Sequence, residues 1–388
     1  MPPATAPRPE RALVLSGGIA LGAFEAGVCA ALLESGWGSP DWVAGASAGA
    51  LNAVVFAGNA PDQRAAMLRR LWDSTALDPT PLASFLLGAP PHAGAWRAAF
   101  NEAAAMQTLL LGRPGLFRPR AMPPSIGDAP ALYDLEPLLE RLEGLMDFDR
   151  LNSGTPRVTI VATDVDTGER VVFDTGQGAR IGPRHIIASS ALLPIFAPVE
   201  VEGRLLADGG LTSNLPLDIV LDAPRGVPLE CIAVELFARS GSRPRTIAAG
   251  VTRAGDIVFG NQTRSLLHGR ARAREMRALL GRLVDHLPEE LRAEGHVVSL
   301  LEEAGYDAPV TLAVICYHGA PDEAGPVKAF DFSAPTLRDR WAAGARAAGE
   351  ALRRMANPAE ATTLAPGMLL HEVAGKPAPE GPGAASES

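Results

Sequence analysis

The apolar positions of this chain fall into two kinds of run. Short, mostly apolar stretches at Ala12–Leu15, Asp41–Ala46, Arg157–Thr163, Cys231–Leu236 and Val310–Cys316 have the length of buried strands. Longer segments rich in small and apolar residues lie at Ala20–Leu33, Ala48–Phe56 and Asp62–Trp72, and they read as helices, the first stopping near Gly36 and the second at Gly58-Asn59. The resulting order of strand, turn, helix, strand, turn, helix predicts right-handed crossovers and parallel neighbouring strands. Both turns then open on one sheet edge, which is where α/β proteins place their ligands. Downstream, a helix is expected around Leu135–Leu145. A strand pair follows at Arg157–Thr163 and Arg170–Phe173 around Thr167-Gly168, then a helix over His185–Leu192. A hairpin of Val199–Glu202 and Arg204–Ala207 ends on Asp208-Gly209-Gly210. The fold class read from this pattern is α/β.

Three stretches break the pattern. Residues 78–130 carry Pro and Gly between apolar clusters such as Phe85-Leu86-Leu87 and Leu109-Leu110-Leu111, and are read as an insertion over the site. Either a lid or lipid-facing cap, or the packing of a long connection, accounts for it. The Arg-rich helix from about Asn261 to Leu291 reads as a solvated face, with contact to anionic headgroups as the alternative. From Asn357 onward Pro, Ala, Gly and Ser dominate, and that tail is expected to be disordered. The division that follows is a flexible 1–10, a catalytic domain over 11–222, a C-terminal α/β extension over 223–356, and the tail 357–388.

Composition narrows the possibilities. With 47% hydrophobic and 20% charged residues, the 388-residue chain has the makeup of a folded protein. A net charge of -9 argues against a nucleic-acid partner. The lysines are Lys328 and Lys376 alone, so no Gly-Lys-Ser/Thr phosphate loop exists near the glycine-rich N-terminal segment. Cys29, Cys231 and Cys316 lack the spacing of a zinc site or redox pair and read as reduced, buried thiols. No stretch reaches about 18 uninterrupted apolar residues and the N-terminus lacks a signal-like run, so a cytoplasmic protein is expected.

The chemistry centres on Gly45-Ala46-Ser47-Ala48-Gly49. Placed between a predicted strand and a predicted helix, the glycines permit a sharp turn that lifts the Ser47 hydroxyl to the sheet edge, and the helix presents free N–H groups beside it. The earlier turn, Gly17-Gly18-Ile19, offers backbone N–H groups at the same edge, and Ala48 adds another, a donor set suited to an oxyanion. A serine nucleophile also needs a base. One strand-helix unit precedes Ser47, too few for the Ser, Asp, His order of an ordinary α/β-hydrolase. His185 and His318, the best spare histidines, lie in no recognisable pairing with an acidic orienter.

Ser16-Gly17-Gly18-Ile19-Ala20-Leu21-Gly22, Gly45-Ala46-Ser47-Ala48-Gly49, and Asp208-Gly209-Gly210 with Asn214-Leu215-Pro216, in this order, resemble the patatin-like phospholipases over roughly Arg11 to Asp222. A looser similarity to a bacterial subgroup continues at Asp331-Phe332-Ser333 and the Arg/Trp helix after it. The resemblance implies a three-layer α/β/α fold with a mostly parallel central sheet and a Ser-Asp dyad: Ser47 as nucleophile, Asp208 as general base and acid. Gly209 and Gly210 form the turn that holds the base, and N–H groups of Gly17, Gly18, Ile19 and Ala48 form the oxyanion hole. It further implies a lipid or other acyl-ester substrate, transient membrane-surface contact, and no metal or organic cofactor. This chain departs from the family where the usual third glycine is Ile19 and a common basic residue is Leu21. That departure keeps a weakly active or inactive lipid-binding protein in view as the alternative, and acyl transfer to an acceptor other than water uses the same residues.

Overall fold

The computed structural model describes residues 7–77, 94–120, 131–237, 247–284, 308–320 and 325–376, with single positions at 243, 244, 286, 288, 295 and 323. Its main sheet has ten strands. They are β1 (Glu10–Leu15), β2 (Trp42–Ala46), β3 (Arg157–Asp164), β4 (Arg170–Asp174), β5 (Val199–Val201), β6 (Arg204–Asp208), β7 (Leu229–Glu235), β8 (Val310–Tyr317), β9 (Thr362–Ala365) and β10 (Met368–Gly375). They lie in the order β9-β10-β8-β7-β1-β2-β3-β6-β5, with β4 also paired to β3. The run from β10 to β3 is parallel throughout, and the remaining pairs are antiparallel. Parallel strands of this kind are covered on both faces, which is why they read as unbroken apolar runs.

Two separate cores confirm the covering. Leu13 and Leu15 of β1 point into one with Phe24, Val28 and Val54, while Ala12 and Val14 point into the other with Leu229, Leu312 and Leu267. The longer helices are α1 (Gly22–Glu34), α2 (Ala48–Ala57), α3 (Arg64–Asp73), α4 (Ala95–Leu111), α5 (Glu136–Leu142), α6 (Pro183–Ser189), α7 (Ile247–Val284) and α8 (Ala334–Met355). α1 and α2 supply the first core together with α8, and α7 contributes to the second. The sheet is therefore the middle layer of an α/β/α sandwich. α1 is small and apolar nearly all round because α8, α3 and α2 pack against it and its remaining face joins the first core. A Cβ on Gly344 of α8 would run into the Phe24 carbonyl of α1.

One expectation is corrected. The chain is not disordered from Asn357 onward: β10 pairs with β8 at eight consecutive positions, from Val310 with Met368 to Tyr317 with Gly375, and β9 folds back onto β10. Met368, Leu370 and Val373 are buried there. The Pro/Ala/Gly bias belongs mainly to residues 377–388, which lie outside the described residues, and averaging it over the whole tail hid a strand. Residues 1–6, 78–93, 121–130 and the end of the expected Arg-rich helix beyond Val284 also lie outside them, apart from His286 and Pro288. The lid reading of 78–130 thus concerns a segment of which residues 94–120 alone are described.

Candidate active site

Ser47 sits where β2 passes into α2 with φ 54° and ψ -122°. A non-glycine residue avoids this region unless its surroundings impose it. Two close approaches impose it here. A Cβ on Gly45 would lie 2.5 Å from the Gly49 backbone, and one on Gly49 would run into the Leu15 carbonyl. The Ser47 N–H donates to the Ser189 hydroxyl at 3.2 Å, and that hydroxyl donates to the Val161 carbonyl at 2.7 Å. The Ala48 N–H, in the first turn of α2, engages no partner among the described residues.

Asp208 reaches the same place through the pairing of β3. The first five residues of β3 pair with β2, ending with Val161 opposite Ala46. Its next residue, Ala162, pairs with Asp208 of β6. β4 takes the other edge of β3. β2 and β6 therefore meet end to end along one edge, and the residue after Ala46 faces Asp208 across that junction. Residues 189–191 tie it together: Asp208 N–H donates to the Ala191 carbonyl at 3.0 Å and Gly209 N–H to the Ser189 carbonyl at 3.3 Å. Asp208 is buried, and its Oδ1 accepts from the Gly210 N–H at 2.6 Å. Burial pushes its carboxyl up to about 7, against hydrogen bonds from the Ser47 side chain and the Gly210 N–H that pull it down.

The first loop is held at three points. The Ser16 N–H donates to buried Glu25 at 2.7 Å, while the Ser16 hydroxyl accepts from the Leu236 N–H at 3.0 Å. Burial raises the Glu25 carboxyl well above its usual range. Gly17 is clamped by Asn214, its N–H donating to the Asn214 carbonyl at 3.0 Å and its carbonyl accepting from Asn214 Nδ2 at 3.3 Å. This corrects the expected donor set: the Gly17 N–H is already engaged, so Gly17 serves by lacking a side chain. A Cβ there would lie 2.6 Å from Asn214 Oδ1 and 2.9 Å from Ser47 Cβ. The N–H groups of Gly18 and Ile19 engage no partner among the described residues, and Ile19 holds a positive φ of 52°.

Ser47, Asp208, Ile19 and Ala48 border one narrow cavity, whose walls are largely apolar, including Leu51, Phe117, Leu138 and Phe196. His185 and His318 do not line it. His185 Nδ1 accepts from the Gly182 N–H at the start of α6, and His318 Nδ1 pairs with the Cys316 carbonyl. Cys29 and Cys231 are buried thiols outside any disulfide, and the half-buried Cys316 thiol donates to Glu235 Oε2 at 3.3 Å. Among the described residues no cluster of His, Cys, Asp and Glu is arranged for a metal, and no helix is long and apolar enough to cross a membrane. Ser189 and the cavity walls escaped the sequence reading. Ser189 carries no motif of its own, and the walls come from segments far apart in the chain.

The curated relatives include uncharacterized NTE family proteins of Mycobacterium tuberculosis and Mycobacterium bovis, each 35% identical over 98 residues, which is 25% of this chain and 26% of theirs. The chain thus spans about a quarter of the length of those relatives. Among solved structures, VipD from Legionella pneumophila aligns over 87% of this chain and 68% of its own, at 15% identity and a TM-score of 0.33. The type III effector protein ExoU aligns over 88% and 54%, at 14% identity and a TM-score of 0.26. Residues 257–362 match a second family described as patatin phospholipase. Residues 13–221, more than half of the chain and carrying every loop of the site above, match the family described as patatin-like phospholipase, and the protein belongs to that family.

Proposed function

We propose that this protein is a serine lipid acyl hydrolase that cleaves carboxylic esters with Ser47 as nucleophile and Asp208 as its base. The observation that carries the reading is the meeting of the strained Ser47 with a buried carboxyl pushed up to about 7, at the polar end of an otherwise apolar cavity. A base works best when its pKa lies near the operating pH, and one so placed contributes about 10²–10⁴-fold to rate.

In the first step the Ser47 Oγ–C bond forms at the ester carbonyl as ionised Asp208 takes the hydroxyl proton. The oxyanion is held by the N–H groups of Gly18, Ile19 and Ala48, each such donor contributing about 10²–10³-fold. The carbon–oxygen bond to the alcohol then breaks, and Asp208 returns its proton to the departing oxygen. Water deprotonated by the same carboxylate attacks the acyl-enzyme, and collapse of the second oxyanion releases the acid and restores Ser47. The apolar walls favour a fatty acyl group in the cavity. Exposed Trp96 and Leu110 of α4, with Leu132 beside the cavity-lining segment, support transient contact with a lipid surface.

A fluorophosphonate probe and a panel of phospholipid, lysolipid, acylglycerol and simple esters test this. The expected outcome is one adduct on Ser47 and turnover of acyl esters, both lost in Ser47→Ala and reduced by at least 10²-fold in Asp208→Asn. A folded protein that neither labels nor turns over any ester favours a lipid-binding role. Product analysis distinguishes transfer to an acceptor other than water.

A further inference from the structure

The loop that offers the Gly18 and Ile19 N–H groups is gripped from the far end of the chain. Arg340 of α8 is only 2% exposed, and each nitrogen of its guanidinium donates a hydrogen bond. It donates to the carbonyls of Ala20 (3.2 Å), Asp331 (3.1 Å) and Lys328 (2.8 Å), to Glu323 Oε1 (3.1 Å) and to the Tyr317 hydroxyl (3.4 Å). Glu323 also accepts from the Tyr317 hydroxyl and balances the buried charge, so that this arginine is fully paired in the interior. Ala20 directly follows Ile19, whose positive φ persists only if its neighbours over-determine it. Ser16 and Gly17 are held on the other side by Glu25, Leu236 and Asn214. Beyond Ile19, Arg340 is the side chain that holds the Ala20 carbonyl, while Asn52 Nδ2 holds the Gly22 carbonyl at 2.9 Å. Arg340 does so with planar donors that fix the direction of the Ala20 carbonyl, which a flexible ammonium does not.

We propose that Arg340 is a positioning residue for the oxyanion loop, transmitting the packing of the second family segment, 257–362, into the geometry of the Gly18 and Ile19 donors contributed by the first. This rests on the acyl-hydrolase reading above. It assigns the C-terminal half a role in the reaction without contact with substrate. The 3.2 Å bond to Ala20 acts on the transition state only through the loop it holds.

Arg340→Lys keeps the charge beside Glu323 but loses the fork, and Glu323→Gln keeps the fork but loosens its charge balance. Active sites are titrated with fluorophosphonate and kcat is expressed per titrated site, so a variant that merely folds less well yields fewer sites of normal kcat. The expected result for Arg340→Lys is kcat per site lowered by at least tenfold, KM within about twofold, and an unchanged acid limb, because Asp208 is untouched. Glu323→Gln is expected to show the same pattern at smaller size, and it decides the matter should Arg340→Lys not fold. Amide hydrogen exchange provides a readout independent of activity: exchange at residues 18–21 accelerates in the variants while that of β7 stays unchanged. Wild-type kcat per site with wild-type exchange at 18–21 overturns the proposal. A wild-type protein inactive on every ester, with the loop still loosened by Arg340→Lys, sinks the hydrolase reading and leaves the grip established.

Discussion

Asp208→Asn separates what this carboxyl does for chemistry from what it does to stability. In the folded protein its pKa is pushed from 3.8 to about 7 by burial. Between those two values the native state holds a proton that the unfolded chain has released. Stability therefore falls as pH rises through that window and is level above it, the sign for an acid whose folded pKa is raised. At about 1.36 kcal/mol per pKa unit, ionising Asp208 at pH 8 costs the fold about 4 kcal/mol. Asparagine has the same shape, still accepts from the Gly210 N–H and never ionises. Urea unfolding of both proteins from pH 4 to pH 9 is the assay, and the difference between them removes groups that titrate alike in each. The variant is expected to match the wild type near pH 4, to gain steadily up to about pH 7, and to be about 4 kcal/mol more stable from pH 8 upward, while losing ester hydrolysis. A difference that stays flat with pH, or a variant less stable at pH 8, would refute the assignment of a buried base of raised pKa.

Three further outcomes are expected. Ser189→Ala removes the acceptor of the Ser47 N–H and leaves the Val161 carbonyl without that donor; unfolding measurements should show a loss of about 1–3 kcal/mol, with kcat reduced and KM little changed. Leu51→Trp narrows the cavity one turn of α2 beyond Ser47. It should depress kcat/KM for long acyl esters by at least tenfold relative to acetyl esters, at a stability cost of about 1–3 kcal/mol. Ending the chain after Ala361 removes β9 and β10, and losing buried Met368, Leu370 and Val373 alone forfeits roughly 5–9 kcal/mol. That is comparable with the whole stability of a domain, so circular dichroism should find the truncated chain unfolded or the protein should be insoluble.

What the sequence disclosed and what it hid follow one physical division. Ser47 was legible because its turn needs glycines at fixed local positions, Gly45 and Gly49, between two runs of recognisable period. Asp208 was legible as the end of a hairpin, with its role implied by the resemblance of three ordered motifs. The availability of an N–H group is not local. Gly17 loses its donor to Asn214, 197 residues away, and nothing in the turn itself announces that. Arg340 was invisible for the same reason, since three of its partners are carbonyls and a carbonyl has no signature in sequence. β10 was obscured by the composition of its neighbours, although Met368-Leu369-Leu370 and Val373 carry a strand's burial. The positive φ of Ile19 is a tertiary effect, imposed by the grips on either side of it.

The account turns on ionised Asp208 taking the proton of Ser47, and the pH dependence of fluorophosphonate labelling at Ser47 tests that step directly. The labelling rate of the wild type is expected to rise tenfold per pH unit below the Asp208 pKa of about 7 and to level off above it, and Asp208→Asn is expected to label at least 10²-fold more slowly with no acid limb. A wild-type rate that is independent of pH from 5 to 9, or an asparagine variant that labels as fast as the wild type, would contradict it.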